Sequence, residues 1–253
     1  MIKNFCKKIA SHLSEFFFIN FCDIIEKIFA GGFEMKKIFL CVMMLSIIFC
    51  SADKIFAEKI SDYEQINQLI IGERFYRVTH RNSEHKNCFF DDATIRTSWQ
   101  SGNVSTFVGN RPAESAGEDF NVNRCGGALI HLKKNRAFVE YPSTTIRTVK
   151  VNGEKAILKS YMRLLYRVEK KFGEWKISEM ISINEADELQ PLIPSTNLKI
   201  NPEEVKKFRS SYRWLAYVRK NNGGEISENL LGIDREEEVQ KIYDEILTWL
   251  NKN

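Results

Sequence analysis

The dipeptide Asn152-Gly153 lies between two long runs of β-forming residues, Ala137 to Val151 and Lys155 to Lys170. Both central residues of a type I′ turn need positive φ, which Asn and Gly tolerate, so the segment is read as a hairpin between two long strands. Phe172-Gly173 turns the chain again, and Trp175 to Ile183 supplies the closing strand. Upstream, Val122 to Leu132 reads as one more strand, turned into the next by Lys133-Lys134-Asn135. Pro142 cannot donate to a ladder, so it marks a bulge or an edge. Long bulged strands curl, and a curled sheet needs its concave face filled by a helix or by a ligand.

Helices precede these strands. Ser61-Asp62-Tyr63-Glu64 is a capping box, in which the Ser61 hydroxyl accepts from the third helical N–H and Glu64 reaches back. The helix it opens carries Ile66, Leu69, Ile70 and Tyr76 near helical spacing and runs to about His80. A short helix over Ser83 to Phe90 ends at Asp91-Asp92, and Ala93 to Trp99 follows as a strand. Ser101 to Gly117 is rich in Gly, Ser and Asn and reads as a loop. At the other end, Asp234-Arg235-Glu236-Glu237 starts a helix with a capping box, whose apolar stripe is Val239, Ile242, Ile246 and Leu250. Helices first and antiparallel strands afterwards define an α+β class: N-terminal helices on a curved antiparallel sheet, with a C-terminal helical extension.

The N-terminal region carries an address. Met35-Lys36-Lys37 followed by the apolar run Ile38 to Cys50, with small residues at Ala52 and Ala57, has the three parts of a secretory signal peptide. Thirteen apolar residues suit a signal h-region, whereas a membrane span wants about 20. Residues 1–34 are either an amphipathic helix, using Phe5, Ile9, Phe16 and Ile19, or translation assigned from a start codon too far upstream. Gly31-Gly32 before Met35 favours the second, since two glycine codons can spell GGAGG, a bacterial ribosome-binding sequence. The organisation expected is therefore 1–34 as an upstream extension, 35–57 as the signal peptide, 58–190 as the main domain and 191–253 as the helical extension. The location implied is a bacterial periplasm or the exterior.

Processing changes the composition that matters. Taking the seven Lys and five Asp/Glu of residues 1–57 from 37 basic and 33 acidic side chains leaves 30 and 28. That balance, without a dense basic run, argues against nucleic acid as a partner. Six cysteines fall to two, Cys88 and Cys125, which either form one disulfide in an oxidising compartment or are buried small hydrophobes. Neither a metal-ligand cluster nor a glycine-rich phosphate loop can be read, so no cofactor is expected.

The helix through Tyr76-Arg77, Phe89-Phe90-Asp91-Asp92-Ala93, Gly126 with the strand to Ala137-Phe138-Val139-Glu140, and Gly173-Glu174-Trp175-Lys176-Ile177 follow one another in an order with a precedent. In this order and spacing the chain resembles the SnoaL-like group of the nuclear transport factor 2-like superfamily over roughly Ile66 to Ile183. Ser211-Tyr212-Arg213-Trp214-Leu215-Ala216, Gly232-Ile233-Asp234-Arg235 and Trp249-Leu250 are similar to the C-terminal extension of some members. The resemblance implies a cone-shaped half-barrel with a pocket inside, and a dimer through an open sheet face. It also shows departures. Catalytic members commonly carry a histidine where this chain has Asn123. Arg163 is kept, but Leu164 and Tyr166 stand where a Tyr and an Asp often follow. Glu179-Met180 replaces a usual arginine, and His80 stands at the usual acid of the first helix.

His80 is the general-base candidate, because imidazole titrates near neutral pH, with Asp91 or Asp92 to orient it or act as base. Against this, the favoured reading makes His80 a surface residue stabilised by the helix dipole and the aspartates turn residues. Tyr76, Trp99, Asn123, Tyr161 and Tyr166 are the candidate ligand contacts, the aromatic ones competing with an ordinary core role. Glu140 and Arg163 either pair inside the cone or lie outside it, and His85 and His131 are read as exposed. Three functions remain open: binding of a small apolar or cyclic molecule without turnover, acid/base lyase, isomerase or hydrolase chemistry with His80, and a structural dimerising module. N-terminal sequencing of the exported protein is expected to begin after Ala52 or Ala57, and a peptide from residues 1–34 would contradict the assigned start.

Overall fold

The computed structural model describes residues 61–110 and 119–252. The upstream extension, the signal peptide and its cleavage positions lie outside the described residues. Helix α1 (Asp62–Val78) begins as its capping box requires, with the Glu64 N–H donating to Ser61 Oγ at 3.2 Å. Its inward stripe is Ile66, Ile70, Glu73 and Arg74, spaced i, i+4, i+7, i+8, so the apolar face runs directly into a charged pair. The helix ends where His80 takes a left-handed φ of 59° and the Arg81 N–H returns to the Tyr76 carbonyl at 3.0 Å. Helix α2 (Asn82–Asn87) and strands β1 (Phe89–Arg96) and β2 (Ser101–Asn103) follow, then a 3-10 turn over Val104–Thr106.

The region expected as one strand, Val122 to Leu132, is two: β3 (Asn121–Cys125) and β4 (Leu129–Lys133). Both pair with β5 (Arg136–Val151), and the break between them faces Pro142. Pro142 has no N–H for a neighbour on that side. Its carbonyl instead accepts from Gly126 N at 3.0 Å, so the proline sits where the partner strand is interrupted. Strand β6 (Glu154–Lys171) pairs with β5 without a register shift, and β7 (Glu174–Pro191) continues the meander well beyond Ile183. Asn152 and Gly153 have φ of 50° and 87°, as the type I′ hairpin demands, and Phe172-Gly173 repeats the pattern at 53° and 87°.

The strand order is β2-β1-β7-β6-β5-β3, with β4 also on β5. Strand β1 runs parallel to β7, so the sheet is mixed rather than purely antiparallel. Two register shifts in the β6–β7 ladder, between Tyr161 and Met162 and between Arg167 and Val168, bend the sheet into a curved, unclosed surface. The second shift changes which residues of β7 face inward: Trp175 and Ile177 before it, Met180 after it.

One face of this sheet has three zones. At one end Ala137, Val139, Tyr141, Leu164, Tyr166 and Val168 pack with Ile66 and Ile70 of α1. At the other end Val149, Val151, Ala156 and Leu158 pack beneath α3 (Pro202–Val205) and α4 (Arg213–Asn221). Between them lie Thr145, Arg147, Ser160 and Met162, on the same face by register but lining a cavity instead of a core. The opposite face buries Phe138, Leu165, Ile181 and Ile183 under Ile242, Ile246 and Leu250 of α5 (Glu236–Asn251). The sheet face expected to be open for a dimer thus carries the chain's own last helix. Glu140 and Arg163 are on this outer side, bridged by Tyr243, whose hydroxyl donates to Glu140 at 2.6 Å and accepts from Arg163 at 2.7 Å.

The C-terminal helices are pinned by specific polar contacts. Asp234 does not cap α5 as its capping box suggested. Its carboxylate instead accepts from Arg209 and from Ser211 Oγ at 2.7 Å, and no side chain caps the helix. Gly232 pairs with Asn184, and a Cβ there would lie 2.1 Å from Ser211 Oγ, so only glycine fits. Asp187 of β7 accepts from the Leu215 N–H at 2.7 Å in the first turn of α4. Burial pushes the Asp187 carboxyl up to about 6, against backbone N–H bonds that favour its ionised form.

A carboxyl raised in the fold binds its proton more tightly there than in the open chain. Its contribution is complete below about pH 4 and is lost as pH rises through about 6. Urea unfolding of the wild type and Asp187→Asn at pH 4 and pH 7 is expected to show the variant gaining on the wild type by on the order of 2 kcal/mol over that interval. A constant difference between the two proteins would contradict the assignment.

Candidate functional site

The site is built around a carboxylate that sequence patterning did not single out. Glu73 is 0% exposed and sits at the inner end of the α1 stripe. Its two oxygens accept both fork nitrogens of Arg74, the Nε2–H of His85 at 2.9 Å and the Tyr166 hydroxyl at 2.9 Å. Burial opposes the charge on Glu73. The adjacent Arg74 guanidinium and the hydrogen bonds from His85 and Arg74 outweigh it, holding the carboxyl well below the usual range. The same burial, reinforced by Glu73, raises the Tyr166 phenol well above its ordinary value despite Arg74. Tyr166 is therefore a donor in this network.

Because an ionised carboxylate only accepts, the bond to Glu73 assigns the His85 proton to Nε2. His85 is 1% exposed, contrary to its reading as a surface residue. It packs edge-on against Phe89 with ring centroids 5.5 Å apart, and against Phe107 at 5.7 Å. The signal for this cluster was present: Glu73-Arg74 occupies the i+7 and i+8 positions of an otherwise apolar stripe. A short helix carrying one histidine follows within reach.

Arg74 and His85 also line a cavity of about 130 Å³. Its walls come from α1 (Arg77, Val78), the chain after it (His80, Asn82), the turn after β1 (Thr97, Ser98, Trp99) and Phe107. Asn121 and Asn123 of β3, Thr145 and Arg147 of β5, Ser160 and Met162 of β6, and Leu215 and Arg219 of α4 also line it. Trp99 stacks on Phe107 with centroids 5.5 Å apart and planes 23° apart, and the Arg77 guanidinium lies 3.9 Å over the Phe107 ring. Arg77 also donates to the Phe107 carbonyl at 3.3 Å, and Arg219 to the Ser98 carbonyl at 2.9 Å. The second of these ties α4 to the turn after β1.

Of the candidates read from sequence, the structure brings His80, Trp99 and Asn123 to the cavity. His80 is exposed in its left-handed position, and Asn123 donates to Thr145 Oγ1 at 2.8 Å. Asp91 and Asp92 are exposed on β1 and do not line the cavity with His80. Tyr76 lies on a separate shallow cleft with Cys88 and Trp175, its ring under the Arg81 guanidinium. Tyr161 faces away from the cavity by alternation and donates to Glu188 at 2.8 Å. Tyr166 reaches the site only through Glu73. His131 stacks on Phe138 on the outer side.

Cys88 and Cys125 are both free, the first buried and the second exposed, so neither the disulfide nor a shared buried role is formed. Burial and then the charge of Glu73 push the Cys88 thiol up to about 12, which leaves it protonated and unsuited to nucleophilic attack. Among the described residues no three His, Cys, Asp or Glu side chains gather into a metal-ligating set. No helix among them is long and apolar enough to cross a membrane.

No family model matches the chain. It is 25% identical over 167 residues to Pea pathogenicity protein 2 of Fusarium vanettenii, an alignment covering 63% of this chain and 70% of that protein. Among solved structures it is similar to the hexachlorocyclohexane dehydrochlorinase LinA-type3 of Novosphingobium barchaimii, with 12% identity and a TM-score of 0.42 over 55% of this chain and 94% of that one. An NTF2-like protein with a cystatin-like fold from Novosphingobium aromaticivorans matches at 10% identity and a TM-score of 0.37, covering 60% of this chain and 90% of that one.

Replacing Glu73 by Gln would leave the Arg74 cation buried without its counter-charge. Glu73→Gln is expected to cost about 3–5 kcal/mol in urea unfolding, and adding Arg74→Met to it is expected to recover part of that loss. A single-variant cost below about 1 kcal/mol would show that the network does not hold the site together.

Proposed function

We propose that this domain is an exported small-molecule binding protein whose ligand occupies the cavity between α1 and α4. The observation that carries the reading is the cavity itself. The sheet face is packed tightly at both ends, yet its middle is lined by Thr145, Arg147, Ser160 and Met162 around open space. A volume of about 130 Å³ is close to the ~150 Å³ of an engineered protein cavity that admits benzene. The ligand is accordingly of single-ring size. Trp99 stacked on Phe107 offers an aromatic wall, and Asn121, Asn123, Thr145 and Ser160 offer hydrogen bonds. This lining is more polar than a purely apolar ligand would require. Export rests on the signal peptide pattern of residues 35–57.

A second reading, acid/base turnover on the bound molecule, draws on one observation: Glu73 fixes the protonated nitrogen of His85 while the same ring lies on the cavity wall. In that version His85, rather than His80 with Asp91 or Asp92, is the working histidine. Conversion of the bound molecule by the wild type, lost in His85→Gln, would favour the enzyme, and a ligand recovered unchanged from the wild type favours the binding protein.

Thermal unfolding of the full chain against a panel of single-ring compounds is expected to reveal stabilising ligands. Trp99→Ala should weaken them about tenfold or more, the loss of an aromatic wall costing on the order of 1.4 kcal/mol. A panel in which nothing stabilises the protein, or in which Trp99→Ala changes nothing, would overturn the cavity as a binding site.

A further inference from the structure

The chemistry of the wall goes further than its size. Arg77, Arg147 and Arg219 come from α1, β5 and α4, three elements far apart in sequence, and all three line the one cavity with Arg74, His80 and His85. Arg147 and Arg219 are only 7% and 4% exposed. No Asp or Glu lines the cavity among the described residues. Glu73 lies behind the wall, where it balances Arg74. Each guanidinium carries five N–H donors, so an arginine that already has partners within the chain can still hold an anion in the cavity.

Resting on the binding function proposed above, we infer that the ligand is a small carboxylate, its ring against Trp99 and Phe107 and its carboxylate among Arg77, Arg147 and Arg219. Each of these arginines already makes interactions within the chain, so the anion joins a network rather than filling a vacancy. Stacking occupies the face of the Arg77 guanidinium, on Phe107 and Trp99. The in-plane N–H fork is the part of a guanidinium that matches the two oxygens of a carboxylate. The aromatic wall and the one-ring volume favour a monocarboxylate on a ring over a free inorganic anion. The helical extension is then part of the site, because α4 contributes both Arg219 and Leu215.

Isothermal titration of the full chain with benzoate, benzamide and inorganic phosphate at pH 7 tests this. Benzoate and benzamide share a ring and differ in charge. Benzoate is expected to bind roughly tenfold or more tightly than benzamide, to weaken with added salt, and to resist competition by phosphate. Arg147→Met and, separately, Arg77→Gln should erase the preference for benzoate while benzamide binding persists. The comparison in the wild type stands alone if either variant fails to fold. Benzamide binding as tightly as benzoate, or phosphate displacing benzoate at equal concentration, would overturn the carboxylate inference and leave the binding function intact. If neither ring compound binds, the carboxylate inference is overturned, and the binding function is decided by the wider compound panel.

Discussion

A single buried carboxylate organises this domain. Glu73 is out of water, yet ionised, because Arg74, His85 and Tyr166 all direct N–H or O–H groups at its two oxygens. Those three partners come from α1 itself, from α2 and from the middle of β6. Satisfying the charge therefore fixes how both helices meet the sheet. A charge in this position is tolerated only with every partner in place. It is a constraint on geometry more than a source of stability. The cavity wall inherits that constraint, since Arg74 and His85 each have one side on Glu73 and another on the open space.

The second structural condition is that the sheet is longer than its helical cover. Strands β5 to β7 run 16 to 18 residues, and α1 covers only one end of them. The chain covers the other end with α3 and α4, which leaves a middle zone bounded by helices on both sides. Asp187 of β7 holds the first turn of α4, and Arg219 near the end of that helix ties it to the turn after β1. The bulges of the β6–β7 ladder supply the curvature without which the zone would be a flat surface.

Much of this was legible in the sequence. Asn152-Gly153 and Phe172-Gly173 marked their hairpins because positive φ has a chemical signature. Ser61 marked the start of α1, and the stripe of Ile242, Ile246 and Leu250 marked a packed C-terminal helix. The parallel pairing of β1 with β7 was not legible, because it joins residues some ninety apart and leaves no local pattern. The break opposite Pro142 was visible only as an ambiguity between bulge and edge. Trp99, Asn123 and His80, candidates taken from aromatic and imidazole chemistry and from the resemblance, line the cavity. His85 was missed because its partner is on a different helix, and a lone histidine in a polar hexapeptide looks solvated. Asp234 misled for a related reason: its capping pattern was local, whereas Arg209 and Ser211 compete for it from a distance.

On the proposed reading, Glu73 positions His85 in the wall of the cavity that takes the ligand. Nitrogen-15 NMR of the histidine side chains in the full chain reads this directly. The expected result is a His85 Nε2–H protected from solvent exchange, whose resonance moves when a cavity ligand is added while that of His131 on the outer face stays in place. A His85 ring that exchanges freely with water, or one that is indifferent to a saturating ligand, would contradict it.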